Sequence, residues 1–221
     1  MLELALKALV AYLLGTLLGS LILGRLRGVD IRSMGSGNAG ATNALRTQGK
    51  LFGASVLILD MGKGVLAVAW LPALILPGVG LPGMGDMGMD AHLPREWLAL
   101  ACGLAVILGH VYPVWFDFRG GKGVATVVGV IGALEPRLLV PLLSCWFIVL
   151  LLSGYVGLAS MLAGVGLVIT VYWSDPGNTP LLWFCILITA FVIYTHRGNL
   201  QRMAAGTENR ARLWLFRSRA V

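Results

Sequence analysis

Seven apolar stretches, several of them shorter than a membrane span, take up most of this chain. They run at about residues 4–23, 51–76, 97–116, 124–134, 138–152, 155–173 and 181–195, with Lys7, Asp60 and Lys63 the charged residues inside them. A span of about 20 apolar residues crosses a bilayer. Only 12% of the 221 residues are charged and 57% are hydrophobic, against about 25% and about 45–50% in soluble domains. This balance excludes a soluble enzyme, a disordered tail and a disulfide scaffold. The 30 glycines and 9 prolines fall among apolar runs, which reads as helix breaks and tight turns. Cys102, Cys145 and Cys185 lie inside the runs without metal-ligand spacing, so they read as small buried hydrophobes.

Charge placement sets the topology. A signal peptide carries its positive charge before the apolar run, whereas Arg25, Arg27 and Arg32 follow the first run. That run therefore reads as an uncleaved helix with its N-terminus outside. In the stretch 124–152, Glu135-Pro136-Arg137 sits at the middle. Two charges and a proline are costly at bilayer depth, so two short helices are expected there. Seven helices then place Arg46, Lys50, Arg119, Lys122 and the basic tail inside with the early arginines, and Asp86, Asp90, Glu96, Glu135 and Asp175 outside, as the positive-inside rule requires. One long span at 124–152 would reverse the tail. The expected fold is all-α: a polytopic membrane bundle of about seven helices, some short, forming a single domain over 1–221. The net charge of +7 then reflects inner loops rather than nucleic-acid binding. Leu213, Trp214, Leu215 and Phe216, interleaved with arginines, are expected at the membrane interface.

Three polar segments map to the inner face. The first is Gly35-Ser36-Gly37-Asn38-Ala39-Gly40-Ala41-Thr42-Asn43, followed by Arg46. It contains G-x-G-x-x-G, but the dinucleotide fingerprint needs a preceding strand within a βαβ unit, and here a membrane helix precedes it. Its backbone amides and polar side chains can still cradle an anion; the plainer alternative is a helix-capping turn. The second runs from Gly109-His110 through Pro113 to Phe118-Arg119-Gly120-Gly121-Lys122-Gly123-Val124-Ala125-Thr126. It lacks the first glycine and the Ser/Thr of a P-loop. A helix starting near Val124 would nevertheless aim its positive end at a phosphate beside Lys122; an interfacial basic turn is the alternative. The third holds His196, Asn199 and Arg202 at i, i+3 and i+6, then Gly206-Thr207-Glu208. Inside the second run, Asp60 and Lys63 are spaced to pair. Such residues mark either function or a structural pair.

In this order the segments resemble the bacterial membrane glycerol-3-phosphate acyltransferase family that uses acyl phosphate as donor, the PlsY type. The resemblance rests on Gly35–Asn43, on Gly109–Thr126 and on His196–Glu208, with Asp60, Lys63 and Gly64 between them. Arg119, Leu200 and Met203 depart from the pattern but keep charge or apolar character; Asn209 stands where lysine is common. The resemblance implies acyl transfer from acyl phosphate to the 1-hydroxyl of glycerol 3-phosphate, giving lysophosphatidic acid and phosphate, the first acylation of phospholipid synthesis. It implies a multi-pass protein of the bacterial inner membrane with its site at the cytoplasmic face, fed by a soluble phosphate acyltransferase. No cofactor or metal is expected, because no carboxylate cluster would hold Mg²⁺. A monomer is expected.

On that pattern Lys122, with the amides of Gly120, Gly121 and Gly123, would take the donor phosphoryl group. Ser36, His196 and Asn199 would complete the catalytic set. Arg46, Thr42 and Asn43 would hold glycerol 3-phosphate, with Gly37, Asn38 and Arg202 also contacting substrate. Asp60, Lys63, His110 and Glu208 would stand behind these residues. The base stays open between His196, whose ordinary pKa lies near neutrality, and a phosphate oxygen of the substrate. A carrier for phosphorylated metabolites would show inverted repeats and midplane polar groups, and neither is visible. A lipid-binding scaffold would leave the glycine segments without a purpose.

Overall fold

The computed structural model describes residues 1–74 and 94–211. Asp86, Asp90 and the interfacial residues Leu213 to Phe216 lie outside these. All regular structure among the described residues is helical. The chain forms two compact units, Met1–Pro136 and Arg137–Val221.

The first unit holds α1 (Leu2–Gly15), α2 (Gly19–Leu26), α3 (Ala41–Gln48), α4 (Lys50–Ala69), α5 (Arg95–Val111) and α6 (Val124–Leu134). Two glycine crossings draw it together. A methyl group on Gly109 would strike the carbonyl oxygen of Tyr12 on α1, and one on Gly15 would strike that of Val106 on α5. Gly64 and Gly129 bring α4 and α6 into the same kind of contact, against the carbonyls of Thr126 and Met61. Small residues allow backbones to approach where lipid supplies no hydrophobic drive between helices.

The first apolar run is not one straight helix. It breaks after Gly15, and α2 leaves α1 at 43°. No proline causes this. The cause is Lys63 on α4, whose Nζ donates to the carbonyls of Gly15 at 2.7 Å and Leu17 at 3.1 Å. Asp60, one turn earlier, accepts the N–H of Gly19 at 3.2 Å. The cation thus meets the C-terminal end of α1 and the anion the N-terminal end of α2, the favourable sense for both helix dipoles. Backbone groups freed within a bilayer need partners inside the protein, and this pair provides them. Lys7, also buried, donates to Glu3 at 2.6 Å and to the Pro72 carbonyl beyond α4 at 2.9 Å.

Glu135-Pro136-Arg137 does separate two helices, with α6 ending at Leu134 and a 3₁₀ turn over Pro136–Leu138. The 11 residues of α6 reach only about 16 Å, half of a hydrocarbon core. Among the described residues, four helical stretches are long and apolar enough to cross a membrane, or up to six if each bent helix pair is one span.

The second unit holds α7 (Leu139–Ser153), α8 (Val156–Ser174), α9 (Thr179–Thr195) and α10 (Arg197–Ala204). Gly154, left-handed at φ 75°, turns α7 into α8. The Asn178 side chain caps α9 by accepting the N–H of Leu181 at 3.1 Å. His196 stands at the junction of α9 and α10, which meet at 51°. Cys102 and Cys185 are buried as expected, whereas Cys145 is only half-buried.

Candidate functional site

Asn43 organises the first polar segment. It is buried at the start of α3, and its Oδ1 accepts the Ser36 N–H at 2.9 Å. Its Nδ2 donates to the carbonyls of Ile31, Met34 and Asn38 at 2.9–3.1 Å. An amide engaged on both sides holds the loop rather than a substrate. This corrects the expectation that Asn43 grips glycerol 3-phosphate. Asn38 accepts the Gly40 N–H at 2.9 Å. Gly35 and Gly37 are left-handed, at φ 57° and 72°, which other residues adopt only with strain. The loop leaves Ser36, Gly37, Thr42 and Arg46 exposed.

The second segment tightens around His110 and Val111. Gly120 donates its N–H to the Val111 carbonyl and Gly121 to that of His110, each at 3.1 Å. These two amides therefore point into the protein, and the expectation that they face a phosphoryl group is corrected. Asp117 and Phe118 are both left-handed at φ 56°, a strained path that swings the chain into this turn. Gly123 caps α6 in a left-handed conformation at φ 81°. The first amides of α6 have no partner within their own helix, so the positive end of α6 starts beside the half-buried Lys122.

The two segments meet within this unit. Ala39 packs with Leu18 and Leu21, and Phe116 leans on the same cluster. The Ser20 hydroxyl donates to the Ala39 carbonyl. Arg32 ties the loops directly: its Nη1 donates to the Phe116 carbonyl at 3.2 Å and its guanidinium lies 5.8 Å from that ring's centre. Asp30 clamps Arg32 through both carboxylate oxygens, at 2.9–3.2 Å. The guanidinium holds the Asp30 carboxyl below the usual carboxylate range. Its contribution is complete above the unfolded pKa near 4 and is lost only as pH falls through the lowered folded value. Sequence reading missed Arg32; the signal was an acid two residues before it, at the entrance to the glycine-rich loop.

Behind both loops lies the buried group of Asp60, Lys63 and His110. Asp60 Oδ1 stands 3.3 Å from Lys63 Nζ and 3.6 Å from His110 Nδ1. A methyl group on Gly121 would overlap His110 Nε2, so the ring lies directly against the turn.

The third segment lies in the second unit. Glu208 brackets it, accepting from Asn199 Nδ2 and from Arg202 Nε, both at 2.7 Å. The N–H groups of Thr207 and Glu208 return to the Arg202 carbonyl at 2.8 and 3.1 Å, with Gly206 left-handed at φ 71°. Asn199 is buried against Gly157 of α8. His196 is buried and its Nδ1 lies 2.8 Å from the Val192 carbonyl oxygen. A carbonyl only accepts, so Nδ1 carries the proton and a neutral ring has its lone pair on Nε2. Among the described residues no group of three or more His, Cys, Asp or Glu could hold a metal ion.

Comparisons with known proteins agree with this architecture. The family described as Glycerol-3-phosphate acyltransferase matches residues 5–206. The glycerol-3-phosphate acyltransferase of Bacillus subtilis (strain 168) is 41% identical over 212 residues, 96% of this chain and 98% of the relative. That of Aquifex aeolicus (strain VF5) is 39% identical over 201 residues, 90% and 95% of the two chains. The crystal structure of PlsY, an integral membrane glycerol 3-phosphate acyltransferase, in its glycerol 3-phosphate form, superposes with a TM-score of 0.78 at 35% identity, covering 94% of each chain. Its lysophosphatidic acid form gives 0.77. With the family's match running through the first two polar segments and into the third, the chain belongs to the glycerol-3-phosphate acyltransferase family of integral membrane acyltransferases.

Proposed function

We propose that this protein transfers a fatty acyl group from acyl phosphate to the 1-hydroxyl of glycerol 3-phosphate, releasing lysophosphatidic acid and inorganic phosphate. The observation that carries the reading is the pair of loops joined by Arg32, one presenting Arg46 and the other Lys122 beside the start of α6. Two phosphorylated substrates need two cationic stations. The crystal forms of PlsY with glycerol 3-phosphate and with lysophosphatidic acid support an acceptor and a product of this kind.

In the reaction, the acceptor oxygen attacks the acyl carbon and the bond from that carbon to the phosphate oxygen breaks. The electron pair leaves with phosphate. Acyl phosphate is a reactive mixed anhydride, so positioning and charge neutralisation supply most of the catalysis. Lys122, with the first amides of α6, neutralises the donor phosphoryl group. Arg46 and Thr42 orient glycerol 3-phosphate, and Ser36 presents its hydroxyl between the two substrates. Gly37, Asn38 and Arg202 complete the substrate contacts. Glu208 holds Asn199 and Arg202 in place. Asn199 and His196 serve the same reaction from the third segment.

The acceptor's proton goes to a phosphate oxygen of the substrate rather than to His196. His196→Gln should then slow purified enzyme about tenfold and leave the shape of its pH–rate profile unchanged. A loss beyond about 10²-fold, with the limb near neutrality gone, is what a true general base would give. Lysophosphatidic acid formed from acyl phosphate, and not from acyl-CoA or acyl carrier protein, is the direct test of the donor. A soluble phosphate acyltransferase would supply that donor.

The two units act as one domain, and the chain works as a monomer in the inner membrane. The topology that places the loops in the cytoplasm has seven spans, α6 included, with the N-terminus outside and the C-terminus inside. Thiols introduced at Ser36 and Gly206 should react with an impermeant reagent only after cells are opened. Labelling of either in intact cells would overturn the orientation.

A further inference from the structure

We propose that Asp60 is a positioning residue for acyl transfer, one buried charge that sets the register of both substrate loops. The inference rests on the acyltransferase reading above and adds a role to it. Asp60 is fully buried, and its Oδ1 faces three groups: the Gly19 N–H, Lys63 Nζ and His110 Nδ1. Each leads to a different part of the site.

Through Gly19 and Lys63 the carboxylate fixes where α2 begins. The next residue, Ser20, donates to the Ala39 carbonyl, in the loop that carries Ser36 and leads into α3 with its Arg46. Through His110 it backs the other loop. The His110 carbonyl accepts the Gly121 N–H, and the ring lies against Gly121 itself, one residue before Lys122. A displacement at Asp60 is therefore transmitted to both phosphate stations.

Stability alone is a poor reason for this arrangement. Buried ion pairs are often replaceable by neutral groups without loss, whereas removing one partner is strongly destabilising. Ionisable groups inside a membrane protein are functional candidates by default. Among the described residues Asp60 Oδ2 and His110 Nδ1 have no hydrogen-bond partner, and the ring meets the carboxylate as a charge contact at 3.6 Å. The cluster's geometry is explained by where it holds the loops.

The test compares full-length wild type, Asp60→Asn, Lys63→Gln and the double variant in detergent. Asparagine keeps an acceptor for Gly19, and glutamine keeps a donor for the carbonyls. Each single variant should unfold at a lower temperature. The double variant, with no unpaired charge, should recover most of that loss. Its kcat/KM should nevertheless stay about tenfold or more below wild type, with KM raised for both substrates, since small misplacements of reacting groups are expensive in rate. Recovery of wild-type kinetics together with thermal stability would overturn the proposal, as would losses confined to Vmax in proportion to the folded fraction. If the double variant does not fold, His110→Gln decides. It leaves the ion pair and the backbone bonds of the turn intact, and should raise the KM for acyl phosphate with the unfolding temperature preserved; unchanged kinetics would overturn the role. Wild type that is active only with another acyl donor would refute the donor reading alone, and the same comparison then runs with that donor.

Discussion

Lys122→Ala is expected to lower turnover by about 10²–10³-fold at saturating acyl phosphate, the usual cost of losing a transition-state charge contact. The variant should still insert and fold, because Lys122 lies on the turn before α6 and outside the glycine crossings. Removing the ammonium leaves only the partial charge of the helix start to meet a phosphate whose negative charge grows as the acyl bond breaks. Lys122→Arg should rescue poorly. A planar guanidinium needs more room than a turn packed between Gly121 and Gly123 offers. Arg46→Ala should instead act mainly on the KM for glycerol 3-phosphate, since its side chain is exposed at the last turn of α3. Steady-state kinetics with each substrate varied in turn separates the two. Near-normal turnover of Lys122→Ala at saturating donor would remove Lys122 from the phosphoryl site.

Gly121→Ala should cost about 10²-fold in kcat/KM, although it adds only one methyl group. The added carbon falls on His110 Nε2, and the ring has no room to retreat, being buried with Asp60 on its other nitrogen. The turn must shift instead, and Lys122 shifts with it. A misplacement of about 1 Å near the chemistry is enough for a loss of that order. Gly62→Ala is the control, on the open side of α4 with nothing nearby for the methyl to meet. It should retain full activity. If Gly121→Ala matches it in kcat/KM at equal unfolding temperature, the turn is more compliant than its packing implies.

The sequence made some of this legible and hid the rest for physical reasons. The split at Glu135-Pro136-Arg137 was readable because proline and charge are local signals that no partner needs to explain. The start of α6 was readable from the glycines before it. The break at Gly15–Gly19 was not, because its cause is an ammonium on another helix and the intervening residues, Thr16, Leu17 and Leu18, carry no breaker. Asn43 stands among exposed polar residues, and nothing in its identity tells whether an amide faces substrate or its own loop. The inward amides of Gly120 and Gly121 depend on where the His110 and Val111 carbonyls fall. Apolar composition located α6 correctly but could not say how far 11 residues reach. In the third segment, nothing in the spacing of Asn199, Arg202 and Glu208 tells that one carboxylate accepts from both; that depends on the turn at Gly206.

The contrast between α7 and the glycine crossings has a consequence for how such a chain can drift. Only Leu142 and Leu150 of α7 are buried, while Val140, Phe147, Ile148 and Leu152 face outward. What that face must satisfy is a solvent made of lipid tails, which accepts any apolar residue of whatever shape. At Gly64 and Gly129 the neighbour is a backbone carbonyl, and no substitution elsewhere can carve space out of a main chain. Neutral change should therefore accumulate on α7 and be nearly forbidden at four small positions, Gly15, Gly64, Gly109 and Gly129, for reasons of packing alone.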